Sequence, residues 1–122
     1  MKNALNWFEI PTTDFERAKK FYETVLGYTM QTMDFGGFMM GFLPSDEGKV
    51  GGAIVHGADY KPSADGAMIY LNANPDLAEA ESRVEAAGGK VVVAKREISP
   101  EWGYTAVFID SEGNRVGLHS NK

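Results

Sequence analysis

The sequence predicts an α+β domain made of two tandem copies of one βαβββ module. Three observations support this: short apolar runs typical of strands, two segments with helical spacing of apolar residues, and matching landmarks in the two halves. The modules are expected at about residues 4–58 and 66–120 of a single domain, 1–122. A polar stretch with proline and glycine, Gly57 to Gly66, is the expected linker between them.

The first module begins with a predicted strand at Ala4–Ile10. Thr13 and Glu16 form a capping-box pattern, which predicts the start of a helix, and Gly27 is placed to end it. Apolar residues at three- and four-residue spacing form one stripe of this helix: Phe15, Ala18, Phe21, Tyr22, Val25 and Leu26. The three strands expected to complete the module are Thr29–Met33, Phe38–Leu43 and Val50–His56.

The second module repeats this order. Its first strand is predicted at Met68–Ala73, and Asn74 is the expected helix N-cap, with Pro75 at the first helical position. The helical stripe consists of Leu77, Ala80, Val84 and Ala87, followed by Gly88 and Gly89. The last three strands are expected near Lys90–Ala94, Tyr104–Ile109 and Arg115–His119.

Matched landmarks support a duplication. The pairs are Trp7 with Met68, Phe15 with Leu77, Gly27 with Gly89, Glu47-Gly48 with Glu112-Gly113, and Val50-Gly51 with Val116-Gly117. Members of a pair lie about 61 to 66 residues apart, so small insertions accumulate along the chain. Each unit alone is too small to bury its own sheet, which favours two modules that pack together.

Composition excludes several classes of protein. The chain is 43% hydrophobic and 24% charged, has a net charge of −5, and contains no cysteine. No cluster of Lys or Arg is present, so neither nucleic acid nor an anionic membrane is an expected partner. Disulfides and thiolate chemistry are excluded, and no apolar run has the length of a membrane span or the form of a signal peptide. We therefore expect a cytoplasmic protein.

Two motifs resemble the vicinal-oxygen-chelate superfamily, which includes glyoxalase I, bleomycin-resistance proteins and extradiol dioxygenases. The first is the run from Ile10 to Gly27, IPTTDFERAKKFYETVLG, and the second is the turn from Asp110 to Asn114, DSEGN. The chain looks most similar to the lactoylglutathione-lyase-related branch. The resemblance implies a curved eight-stranded mixed sheet with helices on its convex face and the site on its concave face. It also implies a homodimer.

The same resemblance raises the question of a metal. Members of the superfamily bind a divalent cation through His, Glu or Gln in the first and last strands of each module. Carried over to this chain, those positions hold Trp7, Gly51, Met68 and Gly117. An indole offers only a donor N–H, a thioether is a weak ligand, and glycine has no side chain. We therefore expect that the family metal is lost and that the chain uses no cofactor.

Strand alternation predicts which other side chains share the concave face. Glu9 follows Trp7 on that face, Tyr70 follows Met68, and His119 follows Gly117. The candidate catalytic residues are Glu9, Tyr70 and His119. The candidate substrate-binding residues are Trp7, Gly51, Met68, Gly117 and Trp102, the last on a predicted loop, Arg96–Gly103, that is placed to cover the pocket.

Simpler interpretations stay open for each of these residues. Trp7 and Tyr70 also fit core or interface positions, Glu9 a solvated strand end, and His119 a surface position close to the C-terminal residue.

The leading functional hypothesis is a small-molecule-binding protein that lacks the usual metal ligands. The alternative is a lyase or isomerase, and the sequence leaves open whether the chain is an enzyme. In a metal-free version Glu9 is the general base and His119 or Tyr70 the acid. In a displaced-metal version Glu9, His119 and His56 supply the ligands.

Overall fold

The computed structural model describes residues 3–122. Its elements are, in order, β1 (Trp7–Pro11), α1 (Phe15–Leu26), β2 (Thr32–Asp34), β3 (Met39–Phe42), β4 (Gly51–His56), β5 (Tyr70–Asn72), α2 (Ala78–Glu81), β6 (Lys90–Ser99), β7 (Gly103–Ile109) and β8 (Arg115–Ser120). The order βαβββ occurs twice, which confirms the predicted α+β class and the tandem modules.

The eight strands form two mixed sheets of four strands each. Their strand orders are β1-β4-β3-β2 and β5-β8-β7-β6, so the two modules have the same topology. In each sheet the first and last strands of the module pair in parallel, and the remaining neighbours are antiparallel. The expected eight-stranded sheet is thus two four-stranded halves, each with the first strand of its module at one edge.

One apolar core is shared by both modules. The rings of Phe21 in α1 and Phe108 in β7 lie 5.7 Å apart between their centroids, across the boundary between modules. Buried residues of this core come from both helices and from both sheets: Ile10, Phe15, Ala18, Phe21, Tyr22, Val25, Met30, Leu43, Ile54, Leu71, Leu77, Ala80, Val84, Ala106, Phe108, Val116 and Leu118. Both predicted helical stripes lie in it, apart from Leu26 and Ala87, which pack at its margin.

The start of α1 is capped differently from the prediction. Asp14, and not Thr13, is the N-cap residue, and its carboxylate accepts a hydrogen bond from the backbone N–H of Arg17. The backbone N–H groups of Thr13 and Asp14 donate to the Glu112 carboxylate, at 2.8 and 2.6 Å. The capping box with Glu16 is therefore wrong, because a side chain of the second module accepts from these donors. Gly27 ends the helix as predicted, with φ of +69°, a conformation that glycine adopts without a steric penalty.

The second helix is shorter than predicted, and its N-cap assignment was wrong. Asn74 lies before the helix, and its side-chain oxygen accepts from the backbone N–H of Asn121. The backbone N–H of Leu77 donates instead to the hydroxyl of Ser120, which is buried. Contacts with the C-terminal strand thus replace the local cap that the sequence suggested.

The predicted loop at Arg96–Gly103 was also wrong over its first half. Strand β6 continues to Ser99, and Arg96 and Glu97 pair with Thr105 and Tyr104 of β7. The ladder has irregular register along its length, which is why the sequence pattern did not read as one long strand. Only the tight connection that contains Trp102 joins the two strands.

The turn from Asp110 to Asn114 fixes the second module to the first. The Asp110 carboxylate accepts a hydrogen bond of 2.6 Å from the buried Tyr22 hydroxyl of α1. The Asn114 amide donates to the carbonyl oxygen of Pro11 at 2.8 Å. Burial and the neighbouring Asp110 carboxylate raise the pKa of Tyr22 well above its usual value, so this hydroxyl stays a donor.

No helix in the part of the chain that the structure describes is long and apolar enough to cross a bilayer. The cytoplasmic location stays a prediction.

Candidate binding face

Trp7 and Glu9 lie on the face of the first sheet that points away from α1. Trp7 pairs with Gly51 in the parallel ladder, and Glu9 pairs with Ala53 two residues further on. The neighbouring residue Phe8 instead packs against the core, as strand alternation requires. Trp7 keeps 43% of its surface exposed, and Glu9 is half-buried.

The Glu9 carboxylate is held by two neutral donors. Its Oε1 accepts from the Tyr60 hydroxyl at 2.7 Å, and its Oε2 accepts from the Trp7 indole Nε1–H at 3.3 Å. The hydrogen bond to Glu9 raises the pKa of Tyr60, assisted by partial burial, so the hydroxyl remains protonated at neutral pH. The carboxylate is therefore fixed in orientation by groups that carry no charge.

Five aromatic side chains continue this surface: Trp7, Phe35, Phe38, Phe42 and Tyr60. We call them, together with Glu9, the aromatic face. Neighbouring rings touch along it, with centroid separations of 6.1 Å for Trp7 and Phe42, 6.3 Å for Phe38 and Tyr60, and 5.6 Å for Phe35 and Phe38. Phe35 and Phe38 are 50% and 39% exposed. Beneath the face lies a small buried cluster of Met40, Ala53 and Val55.

Sequence reasoning found only part of this face. Trp7 and Glu9 were predicted from their position in the first strand. Phe35 and Phe38 lie in the connection between β2 and β3, and Tyr60 lies in the linker, where no strand alternation indicates a direction. Strand alternation could have identified Phe42, since it pairs with Ala53, which also pairs with Glu9, so that all three lie on one face.

The remaining candidate residues belong to the second module. Tyr70 pairs with Gly117, and its ring lies against that glycine so closely that a β-carbon there would overlap it. His119 lies two residues beyond Gly117, and its Nε2 is 2.6 Å from the Trp102 carbonyl oxygen. Tyr70 and Trp102 are 50% and 65% exposed. The thioether of Met68 contacts the Arg115 guanidinium at 3.4 Å.

The strand register corrects one predicted correspondence between the modules. The carbonyl oxygen of His119 accepts a hydrogen bond from the backbone N–H of Ala73, the first residue after β5. In the first module the carbonyl oxygen of Val55 accepts one from the backbone N–H of Thr12, the first residue after β1. His119 therefore corresponds to Val55, and Gly117 corresponds to Ala53 and not to Gly51. Only the family pattern, and not the internal repeat, places Gly117 among the metal-ligand positions.

The candidate residues divide between the two modules. Trp7, Glu9 and Gly51 belong to the first module, and the other candidates belong to the second. Within residues 3–122 no hydrogen bond joins Glu9 to His119 or Tyr70. A cleft of about 240 Å³ does open between the modules, and its polar lining includes Glu9, Lys61 and Arg115.

The residues at the family's metal positions do not fit a divalent ion. Trp7, Met68 and two glycines supply no imidazole and no oxygen ligand, which such an ion requires. The displaced site is not assembled either, since His56 instead contacts the carbonyl oxygen of Thr12, at 3.3 Å. Among the described residues, no three His, Asp or Glu side chains lie close enough together to hold a metal.

Part of the chain matches a described family. A family model for the N-terminal part of bleomycin resistance protein-like proteins matches residues 5–40, which span β1, α1 and β2. A search of curated proteins found no match.

Solved structures match nearly the whole chain. A glyoxalase/bleomycin resistance protein from Albidiferax ferrireducens superposes with a TM-score of 0.71 at 18% identity, covering 98% of this chain and 100% of that one. A glyoxalase/bleomycin resistance protein/dioxygenase family enzyme from Burkholderia phytofirmans gives 0.69 at 21% identity, with coverage of 96% and 98%.

A mutant of glyoxalase I from Zea mays gives a TM-score of 0.68 at 23% identity. The match covers 96% of this chain but 46% of the maize chain, so this chain spans about half of that protein's length. The likeness extends through both modules and agrees with the motifs seen in the sequence. The chain therefore has the fold of the vicinal-oxygen-chelate superfamily, the group that the sequence resembles.

Proposed function

We propose that the chain is a small-molecule-binding protein whose ligand lies on the aromatic face and is held without a metal ion. The observation that carries the proposal is the Glu9 carboxylate, which Trp7 and Tyr60 hold in one orientation amid exposed rings. Small-molecule sites combine apolar walls with a few placed polar groups, and this face has that composition.

Exposure of these rings favours binding over a purely structural role. Phe35 stacks on Phe38 and Trp7 packs against Phe42, yet Trp7, Phe35 and Phe38 remain about half exposed to water, which is unfavourable for apolar surface in an isolated chain. Contiguous exposed apolar patches of this kind mark interaction surfaces. The likeness to bleomycin resistance proteins supports a ligand of low molecular weight.

We also propose a homodimer, as the superfamily resemblance implies. Tyr70 in β5 and Trp102 in the connection between β6 and β7 are largely exposed, and a second copy would bury them. The expected mass in solution is that of two chains. A monomer at micromolar concentration would contradict this part of the proposal.

Lyase or isomerase chemistry has less support. The proposed base Glu9 and the proposed acids His119 and Tyr70 belong to different sheets, whereas acid–base catalysis needs both groups within hydrogen-bonding reach of one substrate.

A ligand panel tests the proposed function. Metabolites and cationic glycopeptides are screened by thermal shift in excess chelator, and hits are repeated with Trp7→Ala and with Ile98→Ala, an exposed apolar residue of β6, as the control on the other sheet. We expect at least one ligand that raises Tm without metal and loses its effect in Trp7→Ala. Ligands that act only after divalent metal is restored, or that respond to Ile98→Ala alone, would contradict the proposal.

A further inference from the structure

We infer that the aromatic face selects ligands that carry an organic cation, such as a quaternary or protonated amine, with the positive group seated beside Glu9. This inference rests on the proposed function and adds the chemical class of the ligand.

Glu9 supplies the acidic group of the aromatic face. Its two hydrogen-bond donors, a phenol and an indole, are neutral, so the hydrogen bonds orient the carboxylate without cancelling its charge. The three ion pairs found within residues 3–122 join Arg17 with Glu112, Lys19 with Glu23, and Lys95 with Asp76, and none includes Glu9. A cationic partner stabilises a half-buried carboxylate among neutral groups more than a neutral partner does.

The side chains that contact the Glu9 carboxylate are aromatic. The face of an aromatic ring carries negative potential and attracts a cation that lies within about 6 Å of the ring centre. Trp7 and Tyr60 donate to Glu9 from either side, and Phe42 and Phe38 contact those two rings in turn. A cation beside Glu9 would therefore meet carboxylate and ring faces together, whereas a neutral group of the same shape would meet only apolar surface.

Two basic side chains of the same chain, Lys61 and Arg115, line the cleft between the modules together with Glu9, and both are exposed. Neither is within ion-pair distance of the Glu9 carboxylate, and the Arg115 guanidinium contacts the Met68 thioether instead. Removing the Lys61 ammonium should leave the preference for a cationic ligand intact or strengthen it.

The test compares choline with its uncharged isostere 3,3-dimethylbutan-1-ol, at matched ionic strength and in the full-length protein. The chain has two tryptophans, so the two indole N–H signals in a ¹H–¹⁵N spectrum are assigned with Trp102→Phe. Because Trp7 Nε1–H donates to Glu9, its signal reports on this site directly. We expect choline to shift it with about fivefold or higher affinity than the alcohol.

The charge-removing variant is Glu9→Gln, which keeps an amide oxygen for the Tyr60 hydroxyl. It should abolish the preference for choline, while Glu16→Gln on the exposed surface of α1 and Lys61→Gln should keep it. Equal affinity for both probes, or an unchanged preference in Glu9→Gln, would overturn the inference while leaving the metal-free binding face standing. If neither probe moves the Trp7 signal, the inference also fails, and the ligand panel decides the proposed function separately.

Discussion

Replacing Asp110 by alanine is expected to lower the free energy of unfolding by about 3–5 kcal/mol, because a buried carboxylate that organises several hydrogen bonds is lost. Asp110 is 4% exposed. Its Oδ2 accepts from the Tyr22 hydroxyl and from the Asn114 amide, and its Oδ1 accepts from the backbone N–H groups of Glu112 and Asn114. Truncation would leave the fully buried Tyr22 hydroxyl without an acceptor.

Denaturant unfolding at neutral pH measures this effect. The matched control is Asp46→Ala in the turn between β3 and β4, where the carboxylate is exposed and accepts no hydrogen bond from the described residues. We expect the control to change stability by less than about 0.5 kcal/mol. Similar losses in the two variants would show that the turn from Asp110 to Asn114 does not hold the modules together.

Replacing Glu112 by glutamine is expected to cost about 2–4 kcal/mol at neutral pH, because charge-assisted hydrogen bonds at the start of α1 are weakened. The Glu112 side chain is fully buried, and it accepts from Arg17 Nε at 2.7 Å and from the backbone N–H groups of Thr13 and Asp14. The negative charge also lies at the N-terminus of the helix, where the helix dipole favours it.

The loss should depend on pH. Burial alone would raise the pKa of Glu112, but the hydrogen bonds from Arg17, Asp14, Ser111 and Thr13 together lower it below the ordinary value of 4.5. A carboxylate with a lowered folded-state pKa contributes stability that is fully present above its unfolded pKa and is lost as the pH falls through the folded pKa.

The stability difference between the wild type and Glu112→Gln should therefore be constant at neutral pH and shrink below about pH 4.5, which unfolding curves at a series of pH values measure. Glu16→Gln, an exposed carboxylate in the first turn of α1, serves as the control. A gap that stays the same down to acid pH would argue against an ionic role for Glu112.

The contacts of Glu112 show which parts of the fold the sequence could predict and which it could not. Strand alternation and helical spacing are local signals, so the order βαβββ was recovered twice, with boundaries close to those observed except at α2 and β6. The predicted N-caps of both helices were wrong. In α1 the cap is the neighbouring residue Asp14, while Glu112 reaches Thr13 across 99 residues, and in α2 Ser120 reaches Leu77 across 43. A local pattern carries no information about partners so distant in the chain.

The two motifs that resemble the superfamily also have a structural role. The run from Ile10 to Gly27 and the turn from Asp110 to Asn114 contact each other, through Tyr22 with Asp110 and Arg17 with Glu112. These contacts hold the modules together and involve no residue of the aromatic face. The motifs therefore indicate the fold and leave the ligand open.

The candidate site was predictable only where it lies on regular strands. Alternation along β1 placed Trp7 and Glu9 on one face, and that placement is observed. Phe35, Phe38 and Tyr60 come from connecting segments, so their approach to Glu9 depends on tertiary structure. The convergence of Glu9 with His119 stays a prediction, since the two residues lie in separate sheets and no hydrogen bond joins them within residues 3–122.

We propose that this chain binds its ligand at a carboxylate among aromatic rings, in place of a metal centre. The most direct measurement is the metal content of protein purified without chelator and then dialysed against Ni²⁺, Zn²⁺, Mn²⁺ and Fe²⁺ in turn. We predict far less than one equivalent of any metal per chain, and the same content in Glu9→Gln. One equivalent of tightly held divalent metal that disappears in Glu9→Gln would contradict the claim.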